Sequence, residues 1–173
     1  MRIELRIPTG DRALLDVARR GLAPFPLRQK QRSSGTWLYA DVESSPTPLN
    51  LALSVLVALD IIILRRLLVH GIRVPLFGSG IRYQLEPPGR EWWQTVYDNV
   101  KEREGDCEDL AAHRAADLNV YEGEPARATA IRTGSATYHA IVERANGVLD
   151  DPSAALGMRP LSKRARERAE VFP

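Results

Sequence analysis

Three things are scarce in this sequence: cysteine, net charge and long apolar runs. Cys107 is the one cysteine among 173 residues, which excludes a disulfide framework within the chain. A reducing compartment or a virion-like assembly therefore fits better than a disulfide-stapled secreted domain. The formal net charge of +2 is too small to indicate nucleic-acid binding by itself, and no nucleic-acid partner is expected.

One apolar stretch, residues 51–64, reads LALSVLVALDIIIL. It has 14 residues, contains Asp60 and is closed by Arg65 and Arg66, whereas a bilayer span needs about 20 apolar residues. We therefore expect a buried helix over about residues 51–69 and no membrane span. A signal peptide is not expected either, because the N-terminus carries charges among its apolar residues.

The composition itself is that of an ordinary globular protein, with 44% apolar and 27% charged residues, so we expect a folded domain. Residues 1–45 are predicted to form a β/α extension. Its elements are a strand over residues 2–7, a helix capped by Asp11 and running to about Arg20, a loop over residues 22–35, and a strand over residues 36–42.

Residues 46–173 are predicted to form the main domain, with the apolar helix as its chief buried element. Turn residues between two strand-like runs predict an antiparallel hairpin in its second half. Its further elements are a helix over residues 91–103, a helix over residues 106–118, strands over residues 126–132, 137–143 and 148–150, and a polar helix from about Pro160. The basic residues of that last helix are interpreted as a solvated face.

Cys107 occupies a position with its own chemistry. Asp106 is placed to cap the helix, and Asp109, three residues on, can close a capping box. Unpaired N–H groups and the helix dipole favour a thiolate on the first turn, which lowers the thiol pKa. The carboxylates of Asp106, Glu108 and Asp109 oppose a further anion. A cationic imidazole or a bound cation would relieve that conflict.

His139 is the candidate source of the imidazole. Period-two alternation places His139 and Ile141 on one face of the strand TYHAIVE, and a helix start packed on such a sheet brings thiol and imidazole together. The turn after this strand returns Asp150 and Asp151 beside it, so either can orient the ring. In the competing interpretation, Cys107 is a small core residue, the histidine is a satisfied core group and the aspartates belong to a turn.

The runs GDCEDLA, ARA, YHAIVE and LDDPS resemble the transglutaminase-like branch of the papain-like cysteine proteases, especially bacterial transglutaminase-like cysteine proteinases with a D-C-E-D motif at the nucleophile. The resemblance covers roughly residues 90–157. It implies an α+β fold in which a helix bearing Cys107 packs on a small antiparallel sheet bearing His139. It also implies Cys107 as nucleophile, His139 as general base and Asp151 as orienting carboxylate, with Asp150 as the alternative.

The resemblance has two further implications. In some relatives acidic residues beside the nucleophile bind calcium, and Asp106, Glu108 and Asp109 match them, although capping and solvation also explain these acids; no cofactor is required. The arrangement, including PPGREWWQ, is also similar to small transglutaminase-like proteins of tailed bacteriophages of actinobacteria. That similarity implies a virion, or the bacterial host cytoplasm during assembly. Ile141 stands where many transglutaminase-like domains have tryptophan.

Two functions follow as hypotheses. The first is a cysteine hydrolase or acyltransferase acting on peptide or amide bonds of a protein substrate, with Trp92, Trp93 and Tyr138 as candidate groove residues. The trio Trp92, Trp93 and Tyr97 also suits a helix core. The second is a structural or adaptor component of a phage neck or tail that reuses the protease fold. In that case the helix over residues 51–69 would dock on virion proteins or on copies of itself.

Overall fold

The computed structural model describes residues 1–87, 91–134 and 137–158, in which five α-helices and a π-helical segment (Leu118–Glu122) accompany several small sheets. The strands are β1 (Arg2–Ile7), β2 (Leu27–Arg32), β3 (Gly35–Asp41), β4 (Arg82–Tyr83), β5 (Trp92–Trp93), β6 (Glu104–Gly105), β7 (Ala126–Arg132), β8 (Tyr138–Arg144) and β9 (Leu149–Asp150). The helices are α1 (Arg12–Gly21), α2 (Pro46–Val69), α3 (Val96–Glu102), α4 (Cys107–Asp117) and α5 (Pro152–Ala155). This mixed architecture agrees with the predicted α+β class.

The first sheet has the strand order β2-β3-β1-β5. Strands β1 and β3 were predicted, and they pair in antiparallel fashion with Leu5 opposite Leu38. The predicted loop over residues 22–35 is wrong, because β2 lies within it. The sequence of β2, LRQKQR, shows no apolar alternation, because almost none of its side chains is buried. This edge strand is held by its backbone pairing to β3.

The helix predicted over residues 91–103 is also wrong in its first part. Trp92 and Trp93 form β5, which pairs in parallel with β1, and the helix begins only at Val96. The side chain of Trp93 is buried in the main core. Pairing with a strand that is distant in sequence therefore overrides the local helical pattern.

Helix α2 is the buried helix that the sequence predicted, and it packs against α1, α4 and β7. Its apolar side chains enter one hydrophobic cluster that also includes residues of β1, β3, α4, β7 and β8. The all-round apolar character of α2 is thus explained by burial within its own chain. None of the helices within residues 1–87, 91–134 and 137–158 has the length and hydropathy that a membrane span requires.

Besides the two-stranded sheet of β4 and β6, a sheet of three strands positions the site. Strands β7, β8 and β9 form an antiparallel sheet in that order, and α4 packs on β7 and β8. Helix α5 follows β9 directly and contacts both α4 and β8. The start of α4 and the strand that carries His139 are thereby held together, as predicted. The polar helix expected from Pro160 lies outside the described residues.

Candidate active site

The first turn of α4 is fixed by a capping box, as its sequence predicted. Asp106 is the N-cap residue, and Asp109 Oδ2 accepts a hydrogen bond from the Asp106 N–H at 3.2 Å. Asp109 Oδ1 accepts another from the Gln94 N–H at 2.7 Å. These bonds anchor the helix start and place Cys107 on its first turn.

The Cys107 thiol is partly exposed and has two polar neighbours. It donates a hydrogen bond to Glu108 Oε2 at 2.9 Å, and the backbone N–H of Ala140 also bonds the sulfur. Burial and the carboxyl groups of Glu108 and Asp106 raise the pKa of the Cys107 thiol well above its ordinary value, and the Ala140 N–H offsets only part of this.

The expected lowering of the thiol pKa by the helix start is therefore wrong for this environment. Burial disfavours any anion here, and the adjacent carboxyl groups add to that cost. The repulsion between neighbouring carboxylates is reduced by protonation, because burial raises the pKa of Asp106 and that of Asp109 well above their usual range. Protons are thus retained by these groups more readily than in water.

His139 and Asp151 lie in direct contact. His139 is 4% exposed, and its Nε2 lies 3.1 Å from Asp151 Oδ1. The same oxygen caps α5 by accepting a hydrogen bond from the Ala154 N–H at 3.0 Å. Asp150, the alternative partner, is bonded instead by Arg114 Nε at 3.0 Å. The carboxylate beside the imidazole is therefore Asp151.

The thiol lies beside β8, the strand that carries His139. Ala140, whose N–H bonds the Cys107 sulfur, directly follows His139 in β8. His113 has a different environment: it is fully buried, and its Nε2 lies 2.9 Å from the Val74 carbonyl oxygen. Of these two histidines, His139 is the one on β8, the strand that the thiol contacts.

A cleft of about 670 Å³ opens next to the thiol. Tyr138 borders it, in agreement with its expected position, and its hydroxyl donates to the Ser44 carbonyl at 2.9 Å. The other described residues around the cleft are Met1, Arg2, Ser44, Leu49, Leu85, Glu86, Pro87, Glu91, Asp106, Cys107, Glu108 and Thr137.

Trp92 and Trp93 are not among the described residues that border this cleft, contrary to their expected role. Trp93 is only 3% exposed and belongs to the core, where the competing interpretation placed it. Trp92 stacks at a tilt on Trp37, with ring centroids 5.9 Å apart. Tyr97 also packs against the core cluster.

Two of the acids at the helix start, Glu108 and Asp109, have protein partners. Both carboxylate oxygens of Asp109 accept backbone N–H groups, and Glu108 bonds the thiol. In the part of the chain that the structure describes, no group of three or more His, Cys, Asp or Glu side chains is placed to hold a metal ion. Capping therefore accounts for Asp109 without calcium.

Tyr83 was not predicted as a neighbour of the site; it is half-buried, and burial, followed by the charges of Cys107 and nearby carboxyl groups, raises the pKa of its phenol to about 12. Strand β4, which carries it, pairs with β6 just before the cysteine. Both strands have two residues, so neither shows the alternation by which a strand is found in a sequence.

Comparison with protein-family models, with curated proteins and with solved structures found no match to this chain. The functional assignment accordingly depends on the residues and their geometry.

Proposed function

We propose that the protein is a transglutaminase-like cysteine hydrolase or acyltransferase in which Cys107 is the nucleophile, His139 the general base and Asp151 the orienting carboxylate. The observation that carries the proposal is the 3.1 Å contact between His139 and Asp151. The residue after His139 in β8, Ala140, bonds the cysteine sulfur through its N–H. A nucleophile, a base and a group that orients the base are the three parts that such chemistry needs.

The contacts suggest how the proton moves. Asp151 accepts from Nε2 of His139, which keeps a proton there and leaves Nδ1 free to accept one. Because the resting thiol is held in its neutral form, His139 Nδ1 removes the thiol proton as the sulfur attacks an amide carbonyl carbon. The resulting imidazolium protonates the leaving amine when the C–N bond breaks, and a thioester remains on Cys107.

The thioester is then resolved by water or by an amine. His139 deprotonates the incoming water or amine, the C–S bond breaks, and the thiol is re-formed. Water gives hydrolysis, and an amine gives acyl transfer. The cleft beside Cys107 has the volume of a small-molecule or side-chain site, so it can hold a peptide side chain at the sulfur.

Alkylation by iodoacetamide tests the pairing of thiol and imidazole. The alkylation rate of Cys107 is measured at neutral pH in the wild type and in His139→Gln, with Cys107→Ala as the blank. We expect His139→Gln to react at least about tenfold more slowly, because it lacks the base that takes the thiol proton. His113→Gln is the matched control, since His113 bonds the Val74 carbonyl rather than the site.

Thermal unfolding shows whether each variant is folded before its rate is compared. Equal alkylation rates in the wild type and a folded His139→Gln would contradict the assignment of His139 as the base.

The second hypothesis, a structural component of a phage particle, is less well supported. One of its grounds was α2 as a docking helix, but ten residues of α2 are buried within this chain. The larger exposed apolar side chains of α2 are Leu51, Leu68 and Val69, and the last two are at its C-terminal end. The contacts of His139 and Cys107 favour the catalytic function instead.

A further inference from the structure

Negative charge prevails around the cleft beside Cys107. Among the residues that the structure describes, four carboxyl groups border the cleft, and they belong to Glu86, Glu91, Asp106 and Glu108. A cleft lined by one sign of charge concentrates ligands of the opposite sign, and low-dielectric walls strengthen the effect. The cleft therefore favours a positively charged ligand.

The two cationic groups at the border of the cleft have partners of their own. The Met1 amine donates to the Val42 carbonyl at 2.9 Å. Arg2 Nε lies 2.9 Å from Asp41 Oδ1, so the Arg2 charge is offset by a further acid. These two groups therefore leave an excess of negative charge around the cleft.

One carboxyl oxygen at the cleft is buried and lacks a donor. Asp106 is 6% exposed, and its Oδ1 accepts no hydrogen bond from any residue that the structure describes. A buried acceptor without a donor costs free energy, and an N–H group of a ligand in the cleft would remove that cost. This oxygen indicates, independently of the overall charge, that the cleft receives a hydrogen-bond donor.

Glu91 is the acid that is most available to such a ligand. Glu86 Oε2 accepts from the Trp92 N–H at 2.8 Å, and Glu108 accepts from the thiol. The half-buried Glu91 side chain bonds none of the described residues. Burial, followed by the charge of Glu108, raises the pKa of the Glu91 carboxyl, and a cation would relieve that repulsion.

Apolar side chains also border the cleft, which distinguishes an organic cation from a bare metal ion. Leu49, Leu85 and Pro87 lie around it together with the acids, and Leu85 is 68% exposed. Lysine and arginine side chains combine an aliphatic stem with a charged end, so the stem can cover apolar surface while the end meets a carboxylate. The cleft offers both kinds of contact.

We propose that the cleft selects a substrate whose acyl-donating residue has a positively charged side chain, lysine or arginine, with its charge held by Glu91 and Asp106. The inference rests on the proposed function and names its substrate class. In the thioester the acyl-donating residue is bonded to the Cys107 sulfur. Its side chain is therefore the part of the substrate that stays beside the sulfur and can reach the cleft.

Two esters that differ by one charge test this selection. Nα-acetyl-lysine p-nitrophenyl ester and Nα-acetyl-norleucine p-nitrophenyl ester have the same aliphatic stem, but only the first ends in an ammonium group. The rate of Cys107 acylation is followed by release of p-nitrophenolate. The lysine-to-norleucine rate ratio is divided by the ratio measured with free cysteine, which removes the difference in intrinsic ester reactivity.

We expect the wild type to prefer the lysine ester by at least about tenfold, in the range by which a charged cleft raises association rates. The preference should shrink in about 1 M salt, which screens the carboxylates. A corrected ratio near one, or a preference for the norleucine ester, would overturn the inference. Either result is obtained with the wild-type protein, so it does not depend on the folding of a variant.

Replacement of Glu91 tests the residue assigned to the charge. Glu91→Gln should lower the corrected ratio by roughly two- to fivefold, the effect of one partly exposed ion pair. Glu102→Gln is the matched control, because Glu102 is an exposed acid that pairs with Lys101 outside the cleft, and it should keep the wild-type ratio. An unchanged ratio in a folded Glu91→Gln would overturn the assignment of the charge to Glu91.

The failure of the proposed function has a different signature. If Cys107→Ala releases p-nitrophenolate from the lysine ester as fast as the wild type, Cys107 is not the nucleophile, and both proposals fall together. Acylation at Cys107 without a preference for the lysine ester removes only the inferred substrate class.

Discussion

At the scale of single residues, two adjacent aspartates have separate partners. Asp151 bonds His139 and caps α5, while Asp150 forms an ion pair with Arg114. The sequence predicted that one of these two aspartates orients the imidazole, but it could not show which one. The answer depends on the side from which each side chain approaches β8. That direction is set by the turn into α5, which is a tertiary feature.

Replacement of Asp151 by asparagine tests its role with little change in shape. Asp151→Asn retains an oxygen that can accept from the Ala154 N–H, but it removes the charge that stabilises an imidazolium. We expect acylation by p-nitrophenyl acetate to slow at least about tenfold. Asp150→Asn is the matched control and should acylate at the wild-type rate. Equal rates in both variants would remove Asp151 from the mechanism.

Glu108 is predicted to restrain the nucleophile. Its carboxyl group accepts from the thiol and raises the pKa of Cys107, so Glu108→Gln should lower that pKa. The pH profile of alkylation by iodoacetamide should then shift to lower pH, with a faster rate at neutral pH. Glu102→Gln, at an exposed acid that pairs with Lys101, should leave the profile in place. A shift of the Glu108→Gln profile to higher pH would contradict this account.

At the scale of elements, local patterns predicted the parts that fold by local rules. The capping box starts α4, alternation marks β1 and β7, and the strand-like runs at β3 and β8 were also recognised. The missed strands, β2, β5 and β6, are edge strands or two-residue strands that exist because of distant partners, whereas β4 lies where a short strand near Ile81 was expected. Several residues that border the cleft, among them Leu85, Glu86 and Glu91, lie outside helices and strands, which explains why the catalytic candidates could be predicted and their surroundings could not.

The approach of α1 to α2 provides a test at this scale. A Cβ atom at Gly21 would lie 2.5 Å from Val55 Cγ2, so Gly21→Ala must displace a buried side chain. We expect a loss of about 1–3 kcal/mol in the free energy of unfolding, measured with urea. The double variant with Val55→Ala should lose less than the sum of the single losses. A more stable Gly21→Ala, as helix propensity alone predicts, would show that the helices do not meet closely.

At the scale of the whole molecule, buried carboxyl groups couple stability to pH. Burial raises the pKa of Asp117 to about 7, and Asp117 Oδ2 accepts from the Leu76 N–H at 2.6 Å. The folded state therefore retains a proton that the unfolded state, with an ordinary pKa of 3.8, has released. The Asp117 contribution to stability accordingly falls as pH rises from about 4 to about 7.

Asp117→Asn should remove this contribution while an acceptor oxygen remains for Leu76. Relative to the wild type, the variant should gain roughly 2–4 kcal/mol in the free energy of unfolding between pH 4 and pH 7. Burial lowers the pKa of His113 to about 4, which gives the opposite slope from there to 6.5. Because His113 Nε2 lies 3.6 Å from Asp117 Oδ1, the comparison is made in a His113→Gln background. Asp16→Asn, at an exposed position, is the control. A pH-independent difference from the wild type would contradict the burial effect.

The central claim is that Cys107 is a nucleophile served by His139, and the most direct measurement is the acyl-enzyme itself. The protein is treated with p-nitrophenyl acetate, quenched in acid and digested, and the acetylated residue is located by mass spectrometry. The account predicts a burst of p-nitrophenolate with the acetyl group on Cys107, much slower formation in His139→Gln and none in Cys107→Ala. A wild type that gives no thioester, or a His139→Gln variant that forms it equally fast, would contradict the account.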